Sequence, residues 1–298
     1  MTVQPATLTL PAPAKINLFL HITGRRNDGY HELQTLFRLL DHGDRLHFTP
    51  DDSGQIRLSS DAPELATPDN LATRAARALK ALPGTPSRHG VRIRLEKRLP
   101  AGAGLGGGSS DAATTLLALN HLWQMGLDTS RLAATGLQLG ADVPVFIHGH
   151  SAWATGIGER LEPVELPPSW YLVLTPACPV STAEVFSHRE LTRNGSAIKM
   201  SAFLAGHSRN DCESLVRRLY PAVDRTLTEL GQYAEARLTG TGSSVFAAFT
   251  RRAAAEAALE QILDRATGPL DGLQGFIARG LDRSPALDVL EGLQTPVE

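Results

Sequence analysis

The stretch Leu99–Asp111 reads LPAGAGLGGGSSD, with Gly102, Gly104, Gly106, Gly107 and Gly108 followed directly by Ser109, Ser110 and Asp111. Glycine lets a backbone approach an anion closely and turn its N–H groups toward it. The next residues, AATTLLALNHLW, are good helix formers with apolar side chains at Leu116, Leu117, Leu119 and Leu122. A helix start adds amides without acceptors and the positive end of the helix dipole. The chemistry this run suits is the holding of phosphate.

Other glycine motifs fit less well. Gly102, Gly104 and Gly107 satisfy G-x-G-x-x-G, but a dinucleotide site follows a buried parallel strand. Here the preceding segment is VRIRLEKRL, in which Val91, Ile93 and Leu95 alternate with Arg92, Arg94 and Glu96. That pattern predicts a strand with one wet face, the antiparallel kind. Asp128 lies near the spacing of a ribose-binding acid, but in GLDTSRL it reads as a helix cap. No lysine follows the glycines, as a Walker A loop requires, and neither V-A-I-K nor D-F-G occurs. A flexible Gly/Ser linker is the bland alternative, yet linkers rarely join an alternating strand to an amphipathic helix.

Lys15 and Asn17 sit two apart in AKINLFLHIT, Ala14–Thr23, where Ile16, Leu18, Leu20 and Ile22 face one way and Lys15, Asn17, Phe19 and His21 the other. Taken alone, Lys15 reads as the solvated start of a strand. Tyr30 and His31 follow the turn signal Asn27–Gly29 and open a returning strand. Asp142 comes two residues after Gly140, before the apolar run Val143–Ile147, and alone reads as a turn or cap acid. His148 and His150 have no third ligand string and read as loop residues rather than a metal site. Gly240, Gly242, Ser243 and Ser244 form a second small-residue loop, as consistent with a hairpin turn as with ligand binding.

Several elements must position these residues. Arg45–Phe48 and Gln55–Ser60 read as strands. Asp69–Leu82 reads as a helix with Asp69 near its cap, and Thr129–Leu139 as another, stopped by Gly140. Farther on come a hairpin-like GIGERLEPV, a strand at Trp170–Pro176 and a helix start at Ser181–Phe186. Asn210–Tyr233 reads as helical with a restart at Pro221, Ala236–Thr250 as strand, glycine turn and strand, Arg251–Leu263 as a helix, and Gly275–Arg279 as a last strand. The alternation predicts an α+β fold in two domains. The 298 residues agree with about two domains, and a net charge of −2 with a pI near 6.6 argues against nucleic acid. The N-terminus lacks a signal-peptide pattern and no apolar run approaches a membrane span, so a cytoplasmic protein is expected. Cys178 and Cys212 read as packing residues in a reduced compartment. Nothing in the sequence fixes an oligomeric state.

Three stretches together, PAPAKINLFLHITGRRNDGYH (Pro11–His31), LPAGAGLGGGSSDAA (Leu99–Ala113) and LTGTGSSVF (Leu238–Phe246), resemble in order and spacing the three motifs of the GHMP small-molecule kinases. GADVPVF, Gly140–Phe146, is a fourth match. The first and fourth resemble the branch that phosphorylates the 2-hydroxyl of 4-diphosphocytidyl-2-C-methyl-D-erythritol in non-mevalonate isoprenoid synthesis. The C-terminal GFIARGLDRSPALDVL resembles the closing strand and loop only loosely. The resemblance implies a two-domain GHMP kinase fold: a ribosomal-protein-S5-like ATP-binding domain at 1–155 and a ferredoxin-like domain at 156–298. It implies ATP and Mg²⁺ as cofactors and a small cytidine diphosphate-linked substrate, with no nucleic acid or membrane partner. Pro100, Ala101, Gly102, Ala103, Gly104, Leu105, Gly106, Gly107, Gly108, Ser109 and Ser110 would hold the ATP phosphates, and Ser109 or Ser110 could reach the metal, whose ligands stay unassigned. Asp142 would be the general base and Lys15 its cationic neighbour. Asn17 would orient the substrate hydroxyl or a phosphate oxygen. Tyr30, His31 and Phe186 would form the cytosine site, with Thr182 nearby and Gly240 closing the cleft. A sibling kinase acting on homoserine, mevalonate or a sugar, and a non-catalytic nucleotide-binding regulator, are the competing readings.

Overall fold

A computed structural model of the chain describes residues 6–294. Residues 1–5 and 295–298, at the outer ends of the two expected domains, lie outside the described residues. The chain opens with two long antiparallel strands, β1 (Leu8–Arg25) and β2 (His31–Asp51), joined where the Asn27–Gly29 turn was expected. Gly29 there takes a φ of 91°, which a side chain would resist. Next come β3 (Ile56–Ser60), α1 (Leu71–Lys80) and β4 (Gly90–Glu96). The side chain of Asn70, the neighbour of Asp69, caps α1 by accepting from the amide of Ala72. β4 keeps its wet face, with Arg92 and Arg94 exposed, and pairs antiparallel with β2 and parallel with β3.

The glycine run leads into α2 (Gly107–Leu122), followed by α3 (Thr129–Leu137), capped by Asp128 as its sequence predicts, and the short α4 (Val143–His148). α2 is not amphipathic as expected. Ser110 through Leu116 are all buried, because the helix packs against β1, α1 and α4 together. The hairpin β5 (Ala152–Thr155) and β6 (Arg160–Pro163) then joins the sheet through β2.

The second half contains β7 (Trp170–Thr175), α5 (Thr182–Ser187), α6 (Met200–Leu204), α7 (Glu213–Leu219) and α8 (Pro221–Leu230). Pro221 separates the last two, as its missing N–H requires. The glycine-linked strands β8 (Ala236–Leu238) and β9 (Val245–Phe249) pair antiparallel, and α9 (Arg252–Asp264), β10 (Gln274–Leu281) and α10 (Pro285–Gln294) complete the chain. One mixed sheet runs β3-β4-β2-β10-β7-β9-β8, with β1 and β5 also on β2. Among the described residues no helix is long and apolar enough to cross a membrane.

Two main cores lie under this sheet. One gathers Leu10, Phe48, Leu79, Ile93, Leu116 and Val145, the other Leu172, Leu174, Val216, Leu227, Val245 and Ile262. Leu290 of α10 returns to the first core, and β10 pairs with β2 at Gly280 and Leu281, so the chain's end crosses the expected division at residue 155. Cys212 is buried in the second core, where burial first and Asp211 second push its thiol up to about 12; Cys178 packs at that core's edge.

Candidate active site

β1 does not start at Lys15; it carries Lys15 and Asn17 midway along its length, and neither is solvated. Lys15 is 3 % exposed and Asn17 4 %. The strict alternation expected for β1 gives no wet face. Register shifts interrupt it, and β1 is covered on both sides. Burying a lysine demands partners. Its Nζ donates to Asn17 Oδ1 at 2.7 Å and to the carbonyl of Gly104 at 3.0 Å, and pairs with Asp142 Oδ2 at 3.2 Å. The ring of Phe37 lies 5.4 Å away on a further side.

Asp142 occupies the N-cap position of α4 but its side chain does not cap the helix; it reaches Lys15 instead. Its side chain is 35 % exposed, so the carboxylate is both paired and open to the cleft. Asn17 is largely committed inside the protein. Oδ1 accepts from Lys15, Nδ2 donates to Thr35 Oγ1 at 2.9 Å, and its backbone N–H donates to Thr239 Oγ1 at 3.0 Å. These bonds use one of its two Nδ2 hydrogens.

The glycine run is a shaped loop. Ala103 and Leu105, which read as spacers between the glycines, are its anchors: both are buried, the carbonyl of Leu105 accepts from Lys15 N, and that of Ala103 accepts from Ser244 N. Gly104 has a φ of 79°, and a Cβ there would come within 2.3 Å of the Thr239 carbonyl. Gly106 has a φ of 71°, and its Cβ would strike the Phe146 ring. Only glycine lets the loop pass these neighbours. The helix begins inside the run, so Gly107, Gly108 and Ser109 carry amides that helix geometry leaves without acceptors. Ser109 lines the cleft; Ser110 Oγ is buried without a partner.

Behind the loop, Lys97 Nζ joins Asp44 at 2.5 Å and Asp111 at 2.9 Å, and Asp44 accepts the amides of Arg98 and Leu99. Burial raises the Asp111 carboxyl to about 7, against the pull of Lys97. This cluster was not singled out in the sequence, where its members lie in three separate stretches. Thr35 and Thr239, which hold Asn17, were likewise missed; Thr239 lies within the third motif and could have been found there.

The cleft over Lys15 and Asp142, about 260 Å³, is also lined by Asn17, Thr182, Gly240 and Phe186. It opens into a second hollow of about 500 Å³ bounded by Tyr30, His31, Thr182 and Phe186. Leu33, Ala141, Ile157, Thr182 and Phe186 line both. Tyr30 is 57 % exposed, while His31 is buried with its ring centroid 5.1 Å from that of Phe186. Burial first, then Arg193 and Arg25, hold the His31 imidazole below its ordinary pKa. Thr182 Oγ1 lies 2.9 Å from Thr241 Oγ1, and Gly240 packs against Gly104. Lys15, Asn17, Tyr30, His31, Asp142, Thr182, Phe186 and Gly240 thus line one or both of two adjoining hollows, with Gly104 and Ser109 from the glycine loop. Pro100, Ala101 and Gly102 are not among the residues that line either hollow.

The sequence matches the family models for the GHMP kinases N terminal domain at residues 70–150 and the GHMP kinases C terminal domain at 189–267. It is 55 % identical to the 4-diphosphocytidyl-2-C-methyl-D-erythritol kinase of Pseudomonas aeruginosa over 96 % of this chain and 98 % of that one. With the protein of the same name from Pseudomonas savastanoi pv. phaseolicola it shares 55 % identity over 92 % of each. A crystal structure of 4-(cytidine 5'-diphospho)-2C-methyl-D-erythritol kinase superposes with a TM-score of 0.77 at 36 % identity, covering 92 % of this chain and 99 % of that one. Homoserine kinase from Cytophaga hutchinsonii shares the fold at 17 % identity, with a TM-score of 0.66 over 95 % of this chain and 97 % of that one.

Proposed function

The chain belongs to the GHMP kinase family, and from that premise we propose that it transfers the γ-phosphoryl group of ATP to the 2-hydroxyl of 4-diphosphocytidyl-2-C-methyl-D-erythritol. The observation that carries this reading is that the two hollows adjoin. Gly104 and Ser109 of the glycine loop line the cleft of the Lys15–Asp142 pair, and that cleft shares five lining residues with the hollow of Tyr30, His31 and Phe186. A phosphate donor, an acceptor hydroxyl and a base attached to that acceptor would need these adjoining environments.

Phosphoryl transfer depends mainly on positioning and charge neutralisation. In this reading the residues Pro100–Ser110 cradle the triphosphate, with the amides at the start of α2 facing its oxygens. Asp142 accepts the proton of the substrate hydroxyl as that oxygen attacks phosphorus. Lys15 holds Asp142 in place and offsets negative charge in the transfer. Asn17 holds Lys15 and turns its remaining amide hydrogen toward the substrate. Tyr30 and Phe186 give the cytosine its aromatic faces, His31 contacts its edge, and Thr182 and Gly240 close the cleft beside the diphosphate.

Mg²⁺ belongs to the same proposal. Mg²⁺ commonly binds through substrate phosphates with few protein ligands. Ser109 and the unpartnered hydroxyl of Ser110 offer oxygen donors at the loop, and the bound ion would offset phosphate charge. The division into an ATP-binding part at 1–155 and a C-terminal part at 156–298 is supported by the two separate cores, with β10 and α10 returning to the first. A cytoplasmic location completes the reading.

The test is ADP release from Mg-ATP with the cytidyl substrate, homoserine or mevalonate as acceptor. Release that depends on the cytidyl substrate is the expected result. Release with another alcohol would keep the chemistry and discard the substrate, and ATP binding without release would leave a nucleotide-binding regulator.

A further inference from the structure

Arg193 lies in the segment between α5 and α6 and binds the cytidyl hollow from behind. Its Nε donates to His31 Nε2 at 3.0 Å, and its Nη2 donates to the carbonyls of Phe186 and His188, each at 2.8 Å. Nη1 donates to the Leu191 carbonyl at 3.2 Å. One guanidinium thus ties together the two residues, His31 and Phe186, whose rings meet in the hollow.

The contact with His31 has a chemical consequence. A guanidinium only donates and does not lose its proton in a protein. The imidazole nitrogen that receives Arg193 must therefore carry a lone pair. A neutral histidine with a lone pair on Nε2 carries its hydrogen on Nδ1. Nδ1 is also the ring nitrogen left to meet a ligand, because Nε2 is taken. We propose that Arg193 is a positioning residue that fixes His31 as the Nδ1–H tautomer, so that the hollow offers a hydrogen-bond donor and thereby selects cytosine over uracil. Cytosine N3 is an acceptor and pairs with that donor. Uracil carries a hydrogen on N3, and two donors would face each other. This inference rests on the cytidyl reading given above for the choice of base, while the tautomer itself does not depend on any ligand.

The first measurement is made on the ligand-free protein labelled with ¹⁵N-histidine. Two-bond ¹H–¹⁵N correlations distinguish protonated from bare ring nitrogens; His31 is assigned by its loss in His31→Gln. The expected pattern is a protonated Nδ1 and a bare Nε2. A protonated Nε2 overturns the proposal. The second measurement compares kcat/KM for the cytidyl substrate and its uridyl analogue. Removing the donor in Arg193→Leu frees His31 to present a lone pair at Nδ1, and the preference for cytosine is expected to fall about tenfold or more, the cost of one unpaired buried donor. The loss falls on KM rather than kcat, and Arg193→Lys, which keeps a donor, restores most of the preference. If Arg193 is merely structural, both bases lose equally and the ratio stays, which overturns the proposal. Should Arg193→Leu fail to fold, the tautomer of the intact protein still decides. Absence of turnover with the cytidyl substrate in the intact protein would sink the functional reading instead, whatever the tautomer.

Discussion

Asp142 and Lys15 lie 3.2 Å apart across the cleft, one on the loop before α4 and the other on β1. Asn17 and the Gly104 carbonyl take two of the lysine's three hydrogens, so its direction is set before any ligand arrives. Asp142→Asn keeps the shape but would remove the proton acceptor of the proposed mechanism. Turnover should fall by about 10²–10⁴, the usual worth of a positioned base, while KM for ATP stays within a few-fold; steady-state kinetics separates the two. Tyr30 is more exposed, and in the proposed reading it acts in binding. Tyr30→Ala should raise KM for the cytidyl substrate about tenfold, from the loss of one stacking face, and leave KM for ATP nearly unchanged; equal rises in both would make Tyr30 structural. At this scale the residue types were legible and their burial was not. The alternation around Lys15 put Lys15 and Asn17 on one face, but nothing local said that this face would be covered.

The glycine loop works as an element because its non-glycine members are anchored. Ala103 and Leu105 tie it to the 239–244 loop and to β1. Gly104→Ala would force a Cβ against the Thr239 carbonyl at a positive φ. KM for ATP should rise by at least about tenfold through the backbone shift, with the fold intact by circular dichroism. Beneath the loop, Asp111 anchors α2 to Lys97 with a carboxyl raised to about 7 by burial. Its pKa in the unfolded chain is the ordinary one, so the folded protein binds the extra proton between about pH 4 and 7. The stability Asp111 contributes is therefore present at low pH and is lost as pH rises toward 7. Asp111→Asn removes that slope. Melting temperatures across pH 5–8 should show the variant gaining on the parent as pH rises, and a constant offset would refute the assignment.

Across the whole molecule the two halves are joined by shared strands rather than by a linker. The apolar residues of β1 pass from the first core at Leu10 and Ala12, through a small middle cluster at Ala14 and Ile16, into the second core at Leu20 and Ile22. Arg38 on β2 fastens the junction from the other side. Its side chain is 1 % exposed, pairs with Asp282 after β10, and packs against Gly280. Arg38→Ala would leave a cavity and strand Asp282, whose carboxylate is 44 % exposed and so partly rehydrated. The expected loss is about 2–4 kcal/mol, a drop in Tm of roughly 4–16 °C at 2–4 °C per kcal/mol for a chain of this size. A shift under about 2 °C would show that the pair does not hold the halves together.

The strand and helix periods, the Pro221 break, the Asp128 cap and the glycine loop were legible in the sequence, because each depends on neighbours within a few residues. So were the four motif stretches, which carry Lys15, Asn17, Tyr30, His31, Asp142 and Gly240, whereas Thr182 and Phe186 lie outside them. The burial of both faces of β1, the return of α10 to the first core and the enclosure of α2 were decided by tertiary packing, since each depends on partners far along the chain. The same holds for the Lys97–Asp44–Asp111 cluster and for Arg193 on His31. Arg193 stands in the polar stretch HRELTRNGS with no local signal, and it becomes part of the site only because folding brings residue 193 against a strand 162 positions earlier. Sequence named the groups that could do the chemistry; packing alone gave them their distances and their exposure.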